Sequence, residues 1–445
     1  MTHSEMKPTD RTDPEYFHKV IDCQWACPAH TPVPEYIRLI AQRRYADAFM
    51  INWESNVFPG ILGRTCDRPC EPACRRTRVE EKPGAICRLK RIAADLKGDI
   101  SDRLPKPPSA KNGKRIALIG AGPASLTVAR DLVPLGYQCV LFEQDGRGGG
   151  LMRTNIPAFR LPVSVLDEEV DRVLELGVEA RFGQRIDSLK AVREEGFDAI
   201  FIGTGAPRGK DLDIPGRTEA SANIHIGIDF LTSVAFGHVD KIGRRVVVIG
   251  GGNTAMDCCR TALRLGGKSV TVTVRSPRAE MKASEWEIED AMREGVPILD
   301  NHAPREFRVE NGRLTAVVFE KMKAEYDGAG RRTLKPAGEP PVIIECDDVL
   351  MAIGQDNAFP WIERGIGLDF DDRGMPGGGL DLGFVRRGKA GCADHMNDAG
   401  LRRKRGKRRG RGRCGEVEHA VDMGKHRERI VGDGNAEGSD PRRLS

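Results

Sequence analysis

Six of the twelve cysteines in this 445-residue chain lie before residue 90: Cys23 and Cys27 in CQWACP, Cys66, Cys70 and Cys74 in GRTCDRPCEPAC, and Cys87. Thiolates three or four residues apart near helix ends can converge on one metal centre, and a proline directly after Cys27 is a feature of cluster-binding runs. Two other readings exist. Structural zinc is usually held by two-residue spacings and often by histidine, whereas all three short spacings here hold three residues; inert buried cysteine is the remaining alternative. An iron-sulfur centre fits the pattern best. A secreted disulfide scaffold belongs to short chains, which this is not.

A second kind of chemistry is written in glycine. In Arg115–Ser125, RIALIGAGPAS, an apolar run from Ile116 to Ile119 ends in Gly120, Gly122, Pro123, Ala124 and Ser125, and a helical apolar pattern comes next. Such a strand, turn and helix lets backbone approach a pyrophosphate and presents free helix N–H groups to it. Ser125 stands where a third glycine is usual, a mild loss because serine is small. The next strand, Gln138 to Phe142, ends in Glu143, at the distance where an acid takes a ribose hydroxyl. The pattern then repeats in Arg244–Ala255, RRVVVIGGGNTA, with Gly250, Gly252, Asn253, Thr254 and Ala255 forming the turn. Its second strand, Ser269 to Val274, leads to Arg275, with Arg278 and Lys282 close behind. An acid there would repel a 2′-phosphate and an arginine would pair with it, which selects NADP over NAD; a solvated basic turn is the other reading.

Paired dinucleotide turns usually hold a flavin and a nicotinamide between which hydride passes. No cysteine pair lies near the first turn, and the adjacent Cys258 and Cys259 point to different sides of a helix, as core residues do. Electrons then leave singly through the cysteine-rich segment, and no side chain need act as acid or base. Two further glycine groups, Gly148–Gly150 and Gly203–Gly205, suit backbone that passes close to a ligand, although a flexible loop and a plain turn explain them equally well.

The elements that must position these residues are set by periodicity. Residues 1–103 read as helical, 104–114 (LPKPPSAKNGK) as a linker, and the chain from 115 onward as alternating strands and helices, an α/β pattern. No run reaches the roughly 18 apolar residues of a membrane span, and no apolar signal region opens the chain, so a cytoplasmic protein is expected. The formal net charge of +5 misleads, because residues 377–445 carry 17 Lys and Arg against 10 Asp and Glu. The body is slightly acidic and no nucleic-acid partner is expected.

Taken together, CQWACP, GRTCDRPCEPAC, GAGPAS, GGLMRTNIPAFRLP, GTGAPRG, GGGNTAMD and MAIGQ resemble, in the same order, the small (beta) subunit of NADPH-dependent glutamate synthase and its relatives, which include the N-terminal part of dihydropyrimidine dehydrogenase and the ferredoxin-NADP transhydrogenases. The resemblance covers roughly residues 20–376. It implies two Rossmann-like domains, the second inserted in the first: an FAD domain over 115–240 and 353–376, and an NADPH domain over 241–352, preceded by an all-helical iron-sulfur domain. It carries cofactor binding onto Gly149, Gly150, Leu151, Arg160, Gly205 and Gly354 as well as the two turns. It assigns Cys27, Cys66, Cys70 and Cys87 to one 4Fe-4S cluster and leaves only Cys23 and Cys74 for a second, which is therefore expected to be absent or unusually ligated. It implies a flavoprotein that takes electrons from NADPH and gives them to a partner subunit or ferredoxin, in a hetero-oligomer. The tail over 377–445 departs from the family, because glycine and arginine replace periodic apolar residues and only Glu418–Lys425 resembles the family's closing helix. A non-catalytic nucleotide-binding or scaffold protein with an impaired FAD site is the alternative.

Overall fold

The computed structural model describes residues 21–326, 332–371 and 374–376; the expectations for 377–445, Glu418–Lys425 among them, lie outside these. Five helices come first: α1 (Asp22–Ala26), α2 (Val33–Ala41), α3 (Tyr45–Asn56), α4 (Pro59–Thr65) and α5 (Ile86–Asp95). Proline in the first turn of α2 and of α4 lacks only an N–H that has no partner there anyway. Val33, Tyr36 and Leu39 of α2 pack with Ala48, Cys70, Ile86 and Ala93, whereas Val57, Phe58 and Ile61 join Leu118, Leu126 and Leu166 of the next domain. The cysteine-rich unit thus shares a core with its neighbour.

That neighbour is a four-stranded parallel sheet in the order β3-β2-β1-β4, with β1 Arg115–Ile119, β2 Gln138–Glu143, β3 Glu179–Phe182 and β4 Ala199–Ile202. The helices that cover it are α6 (Pro123–Leu132), α7 (Leu151–Thr154), α8 (Val163–Leu174) and α9 (Leu189–Glu194). Four of the five β1 residues are buried, as expected of a strand covered on both faces.

The chain then crosses to a second parallel sheet through β5 (Arg208–Gly209) and returns through β15 (Gln355–Asp356); the two crossing strands pair with each other antiparallel. The second sheet has the order β6-β14-β7-β8-β9, with β6 Ile224–Ile226, β7 Arg245–Ile249, β8 Ser269–Thr273, β9 Ile298–Leu299 and β14 Asp348–Met351. Its helices are α10 (Gly227–Ala235), α11 (Asn253–Arg264) and α12 (Glu285–Arg293). The inserted unit therefore opens soon after residue 209, not at 241: Ile224–Ile226 pairs in parallel with Val349–Met351 and belongs to the second sheet. A three-residue strand with no glycine turn gives no periodic signal, and its partner lies more than 100 residues away. A layer that sequence periodicity also did not announce, β10 (His302–Glu310), β11 (Arg313–Tyr326), β12 (Arg332–Pro336) and β13 (Val342–Glu345), pairs antiparallel and packs Phe307, Val317 and Phe319 against Val247, Ile249 and Val349.

Candidate functional site

Both glycine turns stand at the carboxyl end of the middle of their sheets, where a parallel sheet opens a crevice. Gly120 has φ +91°, and a Cβ there would fall 2.8 Å from the Gly203 carbonyl oxygen; Gly250 has φ +148°, and its Cβ would fall 2.3 Å from the Ala352 carbonyl. The fold itself demands these two glycines. Gly122 and Gly252 differ, for their φ values are −78° and −103° and a Cβ on Gly252 would meet nothing within 4 Å. Neither backbone conformation nor close packing requires glycine at these two positions, which leaves room for a ligand on the turn. Gly205 also has open space at its Cβ position, but at φ +68° its left-handed backbone favours glycine by itself.

At the first turn Pro123, Ala124 and Ser125 begin α6. Ser125 is fully buried, and a Cβ on Gly203 would fall 2.2 Å from its Oγ, so the serine tolerated in place of glycine is matched by a glycine opposite. Glu143 ends β2 with its carboxylate turned back under the turn: Ala121 N–H donates to Oε2 at 2.7 Å and Asp145 N–H to Oε1 at 3.1 Å. Burial raises its pKa, against the pull of these two donors. The Gly149 N–H donates to the Ala121 carbonyl, and a Cβ on Gly150 would fall 2.8 Å from the Gly122 Cα, so this loop lies against the turn with Leu151 starting α7. Ser125 Oγ and Thr204 Oγ1 are buried with no hydrogen-bond partner among the described residues. Unpaired buried hydroxyls beside an open glycine turn fit a bound dinucleotide.

At the second turn Ala255 is buried and packs α11 onto the sheet, while Thr254 lies in the first turn of the helix. Asn253 is tied by its side chain: the Ser284 N–H donates to Oδ1 at 2.8 Å, and the Lys282 and Ala283 N–H groups reach the Gly251 carbonyl. Arg275, just beyond β8, is exposed and forms no ion pair with a described residue; the Arg278 side chain is likewise exposed. These two cations face solvent, as a 2′-phosphate site requires. Gly354, at φ +126°, lies in the crossover, where its carbonyl accepts from Lys210 N–H.

Arg160 is placed differently from expectation. Its guanidinium reaches across to the second domain and pairs with Asp257 of α11 and Glu287 of α12, all three side chains 10% exposed or less. The pattern MDCC on α11 held the signal, because an acid between apolar neighbours on a helix buried all round from Ala255 to Ala262 needs a cation. Cys258 and Cys259 are themselves fully buried, with thiols directed at the Gly227 and Met256 carbonyls.

In the helical domain no three His, Cys, Asp or Glu side chains among the described residues gather tightly enough for a single metal ion. Thiolates bound to different irons of one cluster sit further apart than the ligands of one ion. Burial, reinforced by Cys66 and by Cys27, pushes the Cys70 thiol up to about 12; burial and Cys66 raise Cys87; burial and Cys74 raise Cys23. Cys23, Cys70 and Cys74 pack in one cluster with Val33, Tyr36 and Leu39, and Cys87 is buried with its thiol directed at the Leu62 and Gly63 carbonyls. Arg68 N–H donates to Cys66 Sγ at 3.3 Å, and burial favours the protonated thiols of Cys70 and Cys87, whose protons a bound metal would have to displace. Two contacts that the sequence did not announce run from this loop to the second nucleotide domain: Ser284 Oγ donates to Asp67, and the Arg68 guanidinium lies over the Trp286 ring at 4.2 Å.

Residues 114–376 match the model of the pyridine nucleotide-disulphide oxidoreductases, more than half of the chain. The chain belongs to that family. Residues 17–100 match a second model, described as dihydropyrimidine dehydrogenase domain II, 4Fe-4S cluster. FAD, NADPH and a 4Fe-4S cluster are the cofactors of this combination. The chain is 36% identical over 369 residues to the NADPH-Fe(3+) oxidoreductase subunit beta of Geobacter sulfurreducens, covering 80% of itself and 55% of that protein. To the glutamate synthase [NADPH] small chain of Escherichia coli K12 it is 30% identical over 383 residues, covering 81% of itself and 80% of that chain. Among solved structures, FprA from Mycobacterium tuberculosis in complex with NADPH superposes with a TM-score of 0.52 at 18% identity, over 61% of this chain and 78% of that one, a likeness of fold. The chain spans about half the length of the first curated relatives it matches. Among the described residues no helix is long and apolar enough to cross a membrane.

Proposed function

We propose that this chain is an electron-input module that takes hydride from NADPH and passes electrons singly, through one cluster, to a partner subunit or to ferredoxin. The observation that carries the reading is the shared core: Val57, Phe58 and Ile61, which lead into the Cys66 loop, pack among the side chains under the first glycine turn. Flavin and cluster sites built on one core keep a fixed separation. Gly122, Ser125, Glu143 and the Gly149–Gly150 loop would hold FAD; Gly252, Asn253, Arg275 and Arg278 would hold NADPH. Cys27, Cys66, Cys70 and Cys87 would hold the cluster, and Cys23 with Cys74 are too few for a second. The bound cofactors supply the hydride and one-electron chemistry, and the chain supplies position. Gly120 and Gly250 shape the turns, Glu143 anchors the first of them, and the Arg68 N–H stabilises negative charge on Cys66 Sγ.

The cytoplasm suits such a module, and a hetero-oligomer answers its need for an acceptor. Denaturing the purified protein should release FAD, and the native protein should oxidise NADPH with an artificial acceptor. Iron analysis should give about four irons per flavin; about eight would require a second cluster, and colourless protein would reject the reading.

A further inference from the structure

Covalently, the two nucleotide domains are joined only by the crossover at β5 and β15, a two-residue antiparallel pair. Something else must set the angle between them. Contacts from the cluster loop to Ser284 and Trp286 are partly exposed, but a second bridge is buried. Arg160, in the segment between α7 and α8, donates from one terminal nitrogen to both Asp257 oxygens at 2.7 and 2.6 Å and from the other to Glu287 Oε1. The second Glu287 oxygen accepts from Arg260, which also holds Glu294, and Arg264 joins Glu294 from outside. Asp290 approaches Arg260 from the solvent side at 3.7 Å. The residue before Arg160 grips the same helix: the Phe159 ring lies under the Arg264 guanidinium at 3.8 Å and the Arg260 guanidinium at 5.0 Å. A buried ion network of this kind is poor at adding stability against an apolar replacement, and its best-attested use is to specify one arrangement among several. Asp257 lies one helical turn beyond Asn253, so the helix that opens at the NADPH turn is the one being held.

We propose that Phe159 and Arg160 clamp the NADPH domain to the FAD domain, making Arg160 a positioning residue for transfer between the two nucleotides and a ligand of neither. The inference rests on the NADPH-to-FAD reading above. It is tested on the full chain carrying its cofactors with Arg160→Gln, Asp257→Asn, the double variant, Arg160→Lys, and Phe159→Leu, which leaves the buried charges intact. Four quantities are compared: FAD content, NADP+ dissociation constant, the limiting rate of flavin bleaching by NADPH without oxygen, and the rate of tryptic cleavage in the crossover at Arg208 and Lys210. Arg160→Gln and Asp257→Asn should each slow bleaching by about tenfold or more, since misplacing two reactants by an ångström costs rate on that scale. They should speed crossover cleavage similarly, with FAD content unchanged and NADP+ affinity within about twofold. The double variant should be no worse than the worse single one. Arg160→Lys should recover part of the rate, and Phe159→Leu should show the same signature at about threefold. The clamp is overturned if Arg160→Gln loses FAD or NADP+ affinity while Asp257→Asn does not, if the two effects multiply, or if crossover cleavage is unchanged. Wild-type protein that binds no FAD would instead reject the parent reading, and crossover cleavage of the same variants would still decide the clamp.

Discussion

After the first glycine turn the chain reaches Glu143, 8% exposed and holding two backbone N–H groups; after the second it reaches Arg275, exposed and paired with no described residue. The strands leading in are alike, apolar and buried, and the two turns use glycine for the same two purposes. The difference lies in what each leaves open. One site has its charged residue built into the protein, as suits a resident cofactor; the other keeps its cations for the ligand, as suits a nucleotide that must come and go.

The largest effects should come from the glycines on which the two turns agree. Gly250→Ala would drive a Cβ to 2.3 Å from a backbone oxygen at φ +148°, and Gly120→Ala to 2.8 Å at φ +91°. Each should cost on the order of 3 kcal/mol and show as a much lower Tm or loss of soluble protein. Gly252→Ala, with open space around its Cβ, should leave Tm within a degree or two and weaken NADP+ binding more than tenfold in a fluorescence titration. A collapsed Tm for Gly252→Ala would remove the distinction between glycines the fold needs and glycines the ligand needs.

Next in size is the buried acid of the first turn. Glu143→Gln keeps the shape but offers one acceptor oxygen where two N–H groups now find one each, so a donor is left unpaired at about 1–3 kcal/mol. FAD retention after gel filtration should fall, while NADP+ affinity should not change. At the second turn, Arg275→Ser should raise the Kd for NADPH by about tenfold to a hundredfold, the worth of charge-assisted bonds to a phosphate, and leave NADH nearly unaffected. Equal losses for both nucleotides would mean that Arg275 belongs to the solvated surface.

Both turns are legible in the sequence, because strand, glycine and helix are contiguous in the chain. The same locality explains what was hidden. Ile224–Ile226 and Val349–Met351 form neighbouring strands with over 100 residues between them, so the inserted domain could not be bounded by reading outward from Gly250. Arg160 stood out in its motif, but its partners lie 97 and 127 residues away. Without them the resemblance alone speaks for Arg160, and it makes the residue a cofactor ligand. The thiol arrangement was legible in part, for the spacing reveals that Cys66, Cys70 and Cys74 share a loop, whereas only packing brings Cys23 into the same cluster as Cys70 and Cys74.

The smallest expected effect concerns a second buried carboxylate. Glu169 of α8 accepts from Gly60 N–H at 2.7 Å and Ile61 N–H at 2.9 Å, the first turn of α4, whose far end is capped by Cys66. It joins the helical domain to the FAD sheet much as Glu143 joins turn to strand. Burial pushes its pKa up to about 7, the two N–H donors, Arg172 and Lys97 opposing. A carboxyl group whose folded pKa lies above its unfolded value binds more protons in the folded state between the two. Its contribution to stability is therefore greatest below the unfolded value and declines as pH rises through the window up to about 7. Glu169→Gln should flatten that part of the Tm-against-pH curve, whereas Glu143→Gln, whose shift is also upward, should remove a slope of the same sign without moving the cluster domain. Limited proteolysis between α3 and α4 tells the two apart: cleavage should rise in Glu169→Gln and not in Glu143→Gln. If both variants leave the slope intact, the buried carboxylates stay ionised throughout and the likeness between the two anchors is one of geometry alone.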